Sequence, residues 1–482
     1  MIAAPNDNIT MAAHGHATSV VGTQGRSDVE PLEAASRRAR GRDLRKAVHR
    51  RDHAVWKPGT ERPDPIDLLE AQARFLQPDD VHVRNKRLLQ SPLAFFQVAN
   101  IVMVSDLANA PATGIQVQLC GDAQPANFAI FNTLERPLLF DIVDFDETLP
   151  GPWEWDVKRL ATSLVVAARV NGINAVKRHA IVLSALSSYR HRMRTLATMR
   201  LSDLWYWNLP EEDILEFLAQ YQRHQQRHRR PSESRDDPPL ENVAELGGPV
   251  GDRSDSDSVS VSHAGTDALT RTVRGVLRAY RRTLEGHQQQ FLKGFELVDA
   301  TLRVETTAGM GARRYVALLE RLDGESLLLE LTESRASLLT RHLPNSVFRN
   351  QGKRIATGQR LIGAVDDLLL GWVRDDNGRD YHIRRARVPT VAIDPGSLSA
   401  RSLVAYASLC GAALARAHAR SGDRISIAAY LGKGDRFDRA IAGFAESYAD
   451  QIERDHQALV RALRAGRIKS MGYRTDSPRR VG

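Results

Sequence analysis

The sequence predicts an α+β protein of two lobes or domains joined by a long linker. Three observations predict it. Strand-like alternation of apolar and polar side chains appears in two separated stretches, around 115–143 and 302–319. Helical spacing fills much of the remainder. Between the two stretches, 223–265 is mostly Ser-, Asp-, Arg- and Pro-rich and carries no period, so it reads as a disordered linker. At 482 residues the chain exceeds the usual single-domain size and has ample material for a core. Its 42% hydrophobic and 26% charged residues are ordinary for a soluble globular protein.

Residues 1 to about 35 are small and polar and read as disordered. A helix is expected over 64–75, with Leu68, Leu69, Ala71 and Ala73 supplying much of its apolar content. Residues 115–120 (IQVQLC) alternate as a half-buried strand that ends just before Asp122. Residues 137–143 (PLLFDIV) form a second strand that ends at Asp144, and 131–137 between them is turn-like. Read as hairpin-related strands, the two deliver both carboxylates to one sheet end. Helices follow over 155–171, led in by Gly151-Pro152 with Val157, Leu160, Ala161, Leu164 and Val165 on one face, and over 175–201. The cluster Leu204-Trp205-Tyr206-Trp207 reads as core packing rather than a ligand cage. A helical pattern returns over 270–297, and 302–319 reads as strand, glycine turn, strand. Residues 403–419 are helical.

The chemistry is concentrated in GDAQPANF (121–128) and FDIVDFDE (140–147). An Asp followed five positions later by an Asn, then a second Asp just past a strand, is the arrangement of phosphoryl transfer. The first Asp takes the acceptor hydroxyl proton, while the Asn and second Asp hold Mg²⁺ against nucleotide phosphates. Hard oxygen ligands suit a hard cation, and a carboxylate must reach the attacking oxygen. Asp122 fits the catalytic role. Asn127 and Asp144 fit as ligands of Mg²⁺ or Mn²⁺, with Asp146 a further metal-site carboxylate that, like Glu147, also suits a supporting or helix-capping place. The competing reading is an acidic loop that caps the next helix.

The run from Val117 to Ala167 (VQLCGDAQPANFAIFNTLERPLLFDIVDFDETLPGPWEWDVKRLATSLVVA) closely resembles the bacterial DUF2252 family. The resemblance continues at Gly358-Gln359-Arg360-Leu361, Leu370-Gly371-Trp372, CGAALARAHARSGD (410–423) and Tyr448-Ala449-Asp450-Gln451. The family has no settled activity. The resemblance implies a kinase-like fold related to protein kinases and aminoglycoside phosphotransferases. In kinases the glycine loop and strand lysine precede the catalytic Asp, whereas here the corresponding segments come far downstream of it. Helix 403–419 resembles the one leading into the kinase catalytic loop, so joining the chain's end to its beginning restores the usual order. The implied architecture is a circularly permuted, two-lobed kinase-like fold. Its parts are a basic, mostly disordered segment (1–60), a C-lobe part with the acidic loop (61–222), the linker (223–265), a glycine-loop lobe (266–400), helices completing the C-lobe (401–465) and a flexible basic tail (466–482).

The sequence departs from that family pattern in three places. Gly309 and Gly311 remain as the nucleotide-binding turn, but the strand lysine behind it is Thr332. A family His is Gln124, and a family Arg is Gln97. Arg313, Arg314 or Arg384 would then have to stand in for the lysine, because a guanidinium binds phosphate bidentately. Two function classes follow. One is a Mg²⁺-dependent, ATP-binding phosphotransferase (or a related nucleotidyl transferase) acting on an unknown substrate. The other is a weakened, pseudokinase-like nucleotide-binding or scaffold protein, in which Thr332→Lys is expected to strengthen binding and turnover.

A net charge of +9 would suit an anionic partner. The basic runs 37–51 and 223–230 nevertheless lack interleaved aromatics, so they read as solvated, locally disordered charge rather than a nucleic-acid surface. His224 and His228 have metal-ligand spacing but no third ligand. Cys120 and Cys410 read as isolated buried thiols. With no membrane-length apolar run and no secretory signal, a cytoplasmic location is expected.

Overall fold

The structure, a computed structural model, describes residues 24–74, 76, 78–133, 138–228, 266–304, 312–386, 389–391 and 393–467. Helices α1 (Gln24–Ala47), α2 (Pro65–Ala73), α3 (Pro78–Leu88), α4 (Pro92–Val98) and α5 (Asn100–Leu107) come first. Four short strands follow: β1 (Gln116–Leu119), β2 (Phe128–Phe131), β3 (Leu139–Ile142) and β4 (Leu149–Pro152). Next are α6 (Trp153–Val170), α7 (Ala175–Leu196), α8 (Leu201–Tyr206) and α9 (Glu211–His228). Beyond the linker come α10 (Thr266–Arg281), α11 (Gly286–Phe291), β5 (Glu296–Val304), β6 (Arg313–Glu320) and β7 (Ser326–Ser334). The chain continues through α12 (Gln351–Ile362), β8 (Gly371–Arg374), β9 (Asp380–Arg385) and β10 (Pro389–Val391). It ends in α13 (Ala400–Ser421), α14 (Arg424–Leu431) and α15 (Arg436–Arg464).

Short polar side chains start several of these helices. Asp64 accepts from the Ile66 amide, Ser91 from Ala94, Asn174 from Lys177, Asn350 from Lys353 and Ser399 from Ser402. Each satisfies an amide that a helix N-terminus leaves without a partner.

The hydrophobic interior is divided. One cluster spans the helices and the first strands, with Phe95, Phe96, Trp153, Leu164, Tyr189, Tyr406 and Tyr448 buried in it. A second joins Val273, Val276 and Tyr280 of α10 to Tyr315, Leu329, Leu331, Tyr381 and Ile383 of a five-stranded antiparallel sheet ordered β5-β6-β7-β9-β8. The chain is thus a mixed α+β protein with separate helical and sheet cores. In the first of these, α13 and α7 pack very closely at Gly411, where a Cβ would lie 2.1 Å from the Ala185 carbonyl oxygen.

Several expectations change. Strands β1 and β3 are not hairpin partners: β1 pairs with β4, and β3 with β2. The Gly151-Pro152 lead-in to α6 therefore belongs to a strand, and Phe131 to β2 rather than to a turn. Disorder was expected to about residue 35 and in the basic run 37–51, but Gln24–Ala47 is helical. Within the basic run, Arg38, Arg40, Arg42 and Arg51 are exposed, but two arginines are bound. Arg45 and Arg50 donate to the carbonyls of Ala429, Tyr430 and Leu431 at the end of α14, and the Ser426 hydroxyl donates to the Arg37 carbonyl. Cations at a helix C-terminus complete carbonyls that the helix leaves open. The helix expected over 270–297 breaks between α10 and α11, and β5 begins at Glu296. In the aromatic cluster only Leu204 is buried; Trp205 is 41% and Tyr206 77% exposed. The bulk of the linker (229–265), the glycine turn with Gly309 and Gly311, and the tail beyond 467 lie outside the described residues. No helix among the described residues is long and apolar enough to cross a membrane. Both cysteines are free and buried, as expected.

Candidate functional site

The site begins where β1 ends. Gly121 turns the chain at φ +85°, and a Cβ there would lie 2.5 Å from the Glu147 carbonyl oxygen. Only glycine fits so tight a left-handed turn. Asp156, in the first turn of α6, holds the turn from below. It accepts from the Cys120 amide at 2.9 Å and the Gly121 amide at 3.1 Å. His418 of α13 is 3.2 Å from the same carboxylate, and its other ring nitrogen is 2.9 Å from the Tyr189 hydroxyl. Burial and the Asp156 carboxylate push the Cys120 thiol well up, so this cysteine is no nucleophile.

Asp122 follows, 3% exposed. One carboxylate oxygen accepts from Arg159 at 2.5 Å and the other from the Gln124 amide at 2.8 Å. The Arg159 guanidinium is itself held over the Phe96 ring at 4.4 Å. Arg159 thus serves Asp122, and Asp156 of the same helix is not its partner. The two lie almost one turn apart on α6 and serve different halves of the same loop. Burial raises the Asp122 pKa; Arg159 opposes the shift, and Asp144 adds to it. Two like-charged carboxylates are therefore near each other.

Asn127 ties the loop to β3. Its side-chain amide donates to the Asp122 carbonyl at 2.9 Å, and its carbonyl accepts from the Val143 amide at 3.0 Å. Asp144 comes next along the chain, half-buried, and accepts from the Asp146 amide at 3.0 Å. The structure thus brings Asp122, Asn127 and Asp144 together, with Asp146 beside them. Among the described residues, no group of three or more His, Cys, Asp or Glu side chains could hold a metal ion. Asn127 and Asp144 form a smaller set, one amide and one carboxylate. That suits a hard cation whose remaining ligands are phosphate and water oxygens.

The sheet closes over this loop. Arg354 of α12 donates to the carbonyls of Thr148 at 2.7 Å, and of Asp146 and Arg335 at 2.8 Å. Glu147 accepts from the Ser337 hydroxyl at 2.7 Å and the Leu338 amide at 2.6 Å. Burial pushes its pKa up to about 7. Arg384 of β9 donates to the Val143 carbonyl and to Glu330, each at 2.9 Å. Thr332 of β7 lies on this face, 1% exposed, and its hydroxyl has no hydrogen-bond partner among the described residues. Strand alternation puts Arg313 on the opposite face, in line with Tyr315 and Ala317 of the apolar core. Gly309 and Gly311 lie outside the described residues.

Sequence reasoning missed the Arg384–Glu330 pair, Arg354, and the His418–Asp156 contact. The first had a signal on one side only: a single charge, Glu330, inside the otherwise apolar strand LLLEL. The others join residues distant in the chain, which spacing cannot foretell.

No curated protein and no solved structure matches this chain. The family profile described as an uncharacterised protein conserved in bacteria, DUF2252, matches residues 74–462. The chain belongs to the DUF2252 family.

Proposed function

We propose that the chain is a kinase-like nucleotide-binding protein, a Mg²⁺-dependent phosphotransferase in plan with a slow transfer step. Asp144 and Asn127 would hold Mg²⁺ (or Mn²⁺), which neutralises the phosphates of ATP. Asp122 would face the acceptor hydroxyl. The observation that carries this reading is the staple through Asn127, which joins the Asp122 carbonyl to the strand that delivers Asp144. An acidic cap for α6 would not need it. The helix starts with Glu154 and Asp156 of its own, and these bind the Thr113, Cys120 and Gly121 amides instead.

The order of parts in the sheet region supports the same reading. A glycine-containing segment outside the described residues lies between its first two strands in the chain, a third strand carries Thr332, and a helix follows. Kinases place their glycine loop, lysine strand and glutamate helix in that order. Helix α13 runs beside β1 and β3, consistent with a permuted chain whose last helices complete the lobe begun by the first.

The slow step follows from Asp122. A proton acceptor must be basic toward the hydroxyl it serves, yet one of its oxygens is paired with the Arg159 cation, which opposes proton uptake, and the other accepts from Gln124. This favours weak turnover or pure nucleotide binding over efficient catalysis. The test is thermal shift with ATP, with Mg²⁺ and with both, on the unmutated protein and Asp144→Asn. A joint shift larger than either alone, lost in Asp144→Asn, is expected. No shift with any combination would overturn the reading. ATP turnover abolished by Asp122→Ala, if rapid in the unmutated protein, would overturn the slow step alone.

A further inference from the structure

Thr332 leaves the third strand of the sheet without a cation, but the face on which it lies carries charge one strand away. Register pairing across β6, β7 and β9 sets Arg314, Thr332 and His382 in one row and Val316, Glu330 and Arg384 in the next. Directly paired residues share a face, and so do positions two apart along a strand. Arg384 therefore projects from the same surface as Thr332, displaced by one strand and one row. Its guanidinium is buried, and it joins two partners: Glu330 in the same row and the Val143 carbonyl of the acidic loop. Val143 immediately precedes Asp144, so this cation already touches the backbone of the candidate metal ligand.

We propose that Arg384 of the fifth strand, rather than a third-strand lysine, is the cation that holds the nucleotide phosphates in this protein. The proposal rests on the nucleotide-binding reading above and names the residue that completes it. A guanidinium has five N–H donors in a fixed fork, so Arg384 can keep Glu330 and Val143 and still meet phosphate oxygens. Arg314, which pairs with Thr332 on the same face, is the competing cation, and Arg384 is favoured over it because it already contacts the Val143 carbonyl beside Asp144. The remaining cations of the region are less suited. Arg313 lies on the opposite face of the sheet. Arg354 spends its donors on three carbonyls and on Gln351. His382 is held neutral, because burial and the arginines around it push its pKa well below the usual value. Glu330 would act as a positioning residue for the fork.

Isothermal titration with Mg²⁺·ATP and with adenosine separates phosphate recognition from base recognition. In R384Q, affinity for Mg²⁺·ATP is expected to fall roughly 10- to 100-fold, the range for losing a charge-assisted hydrogen bond, while adenosine affinity holds. The double variant E330Q/R384Q, which leaves no unpaired buried carboxylate, should show the same selective loss and keeps the test open if R384Q does not fold. T332K added to R384Q should restore much of the ATP affinity by putting a cation back on the same face. If ATP and adenosine affinities stay unchanged in a folded R384Q or E330Q/R384Q, or fall together, Arg384 is not the phosphate cation. If the unmutated protein binds neither ligand, the nucleotide reading itself fails, and this assignment fails with it.

Discussion

The acidic loop, as a floor, and the sheet that closes over it, as a wall, are built to different standards. On the floor, the side chains that hold the Gly121–Asp122 turn are bonded on several sides. Asp156 holds two amides and faces His418, Asn127 staples two segments, and Asp122 is bonded at both oxygens. On the wall, Arg384 and Glu330 are paired, but Thr332 in the next row has a buried hydroxyl with no hydrogen-bond partner among the described residues. The difference has a physical origin. The floor turn is buried against the main core, where an unsatisfied amide or carboxylate costs several kcal/mol. The sheet draws its stability from its other face, where Tyr315, Leu329, Leu331 and Ile383 pack on α10. Its loop-facing residues can change without loosening that core. A phosphate-holding residue can thus be lost from the wall while the acidic floor stays intact.

The largest effect should come from breaking the floor. Asp156→Ala removes the acceptor of the Cys120 and Gly121 amides and strips His418 of its carboxylate. A loss of about 3–5 kcal/mol is expected, as for buried pairs with one partner removed, measured by urea unfolding. A loss below about 1 kcal/mol would show that the turn holds its shape without Asp156 and would dissolve the contrast between floor and wall.

The seam between the two regions should report as a pH effect. Unfolded, Glu147 releases its proton near its usual value of about 4.5; folded, it keeps the proton to about 7. The folded state therefore binds more protons across that window, and stability falls as pH rises through it. Glu147→Gln has no proton to lose. Between pH 4.5 and 8 the stability difference should move toward the variant by about 3 kcal/mol, at 1.36 kcal/mol per pKa unit. Parallel pH profiles for the two proteins would mean that Glu147 is ionised and well solvated in the folded state, and that the seam is wet.

Much of the floor was legible in the sequence, because its chemistry is local. Asp122, Asn127 and Asp144 sit within one short stretch, apolar alternation marks β1, and a short apolar run marks β3. Pairing was not legible. Four-residue strands separated by short turns can pair with any neighbour, and nothing in 115–143 says that β1 takes Leu149–Pro152 as its partner. The N-terminal arginines misled for a similar reason. Arg45 and Arg50 look like free charge until the end of α14, far along the chain, presents the carbonyls they bind. Exposed Trp205 and Tyr206 misled in the other direction: aromatic content suggests core, but α8 buries only Leu204. On the wall, Thr332 was identified by motif position, whereas Arg384 was one of three candidates. Strand register separates it from Arg313, and only the contact with Val143 favours it over Arg314, which pairs with Thr332 on the same face.

The smallest effect tests the wall directly. Thr332→Val keeps the shape of the side chain and removes only the hydroxyl. Taking an unpaired buried hydroxyl away should be neutral or should stabilise by about 1 kcal/mol, because its desolvation was never repaid by a hydrogen bond. Nucleotide affinity should not change, since a hydroxyl supplies no charge to phosphate and Arg384 remains in place. The measurement is urea unfolding alongside titration with Mg²⁺·ATP. A destabilisation of more than about 1 kcal/mol would mean that the hydroxyl has a partner, such as an ordered water, and that the wall is as fully determined as the floor. A loss of ATP affinity with unchanged stability would instead make Thr332 itself a nucleotide ligand and move the phosphate contact back to the third strand.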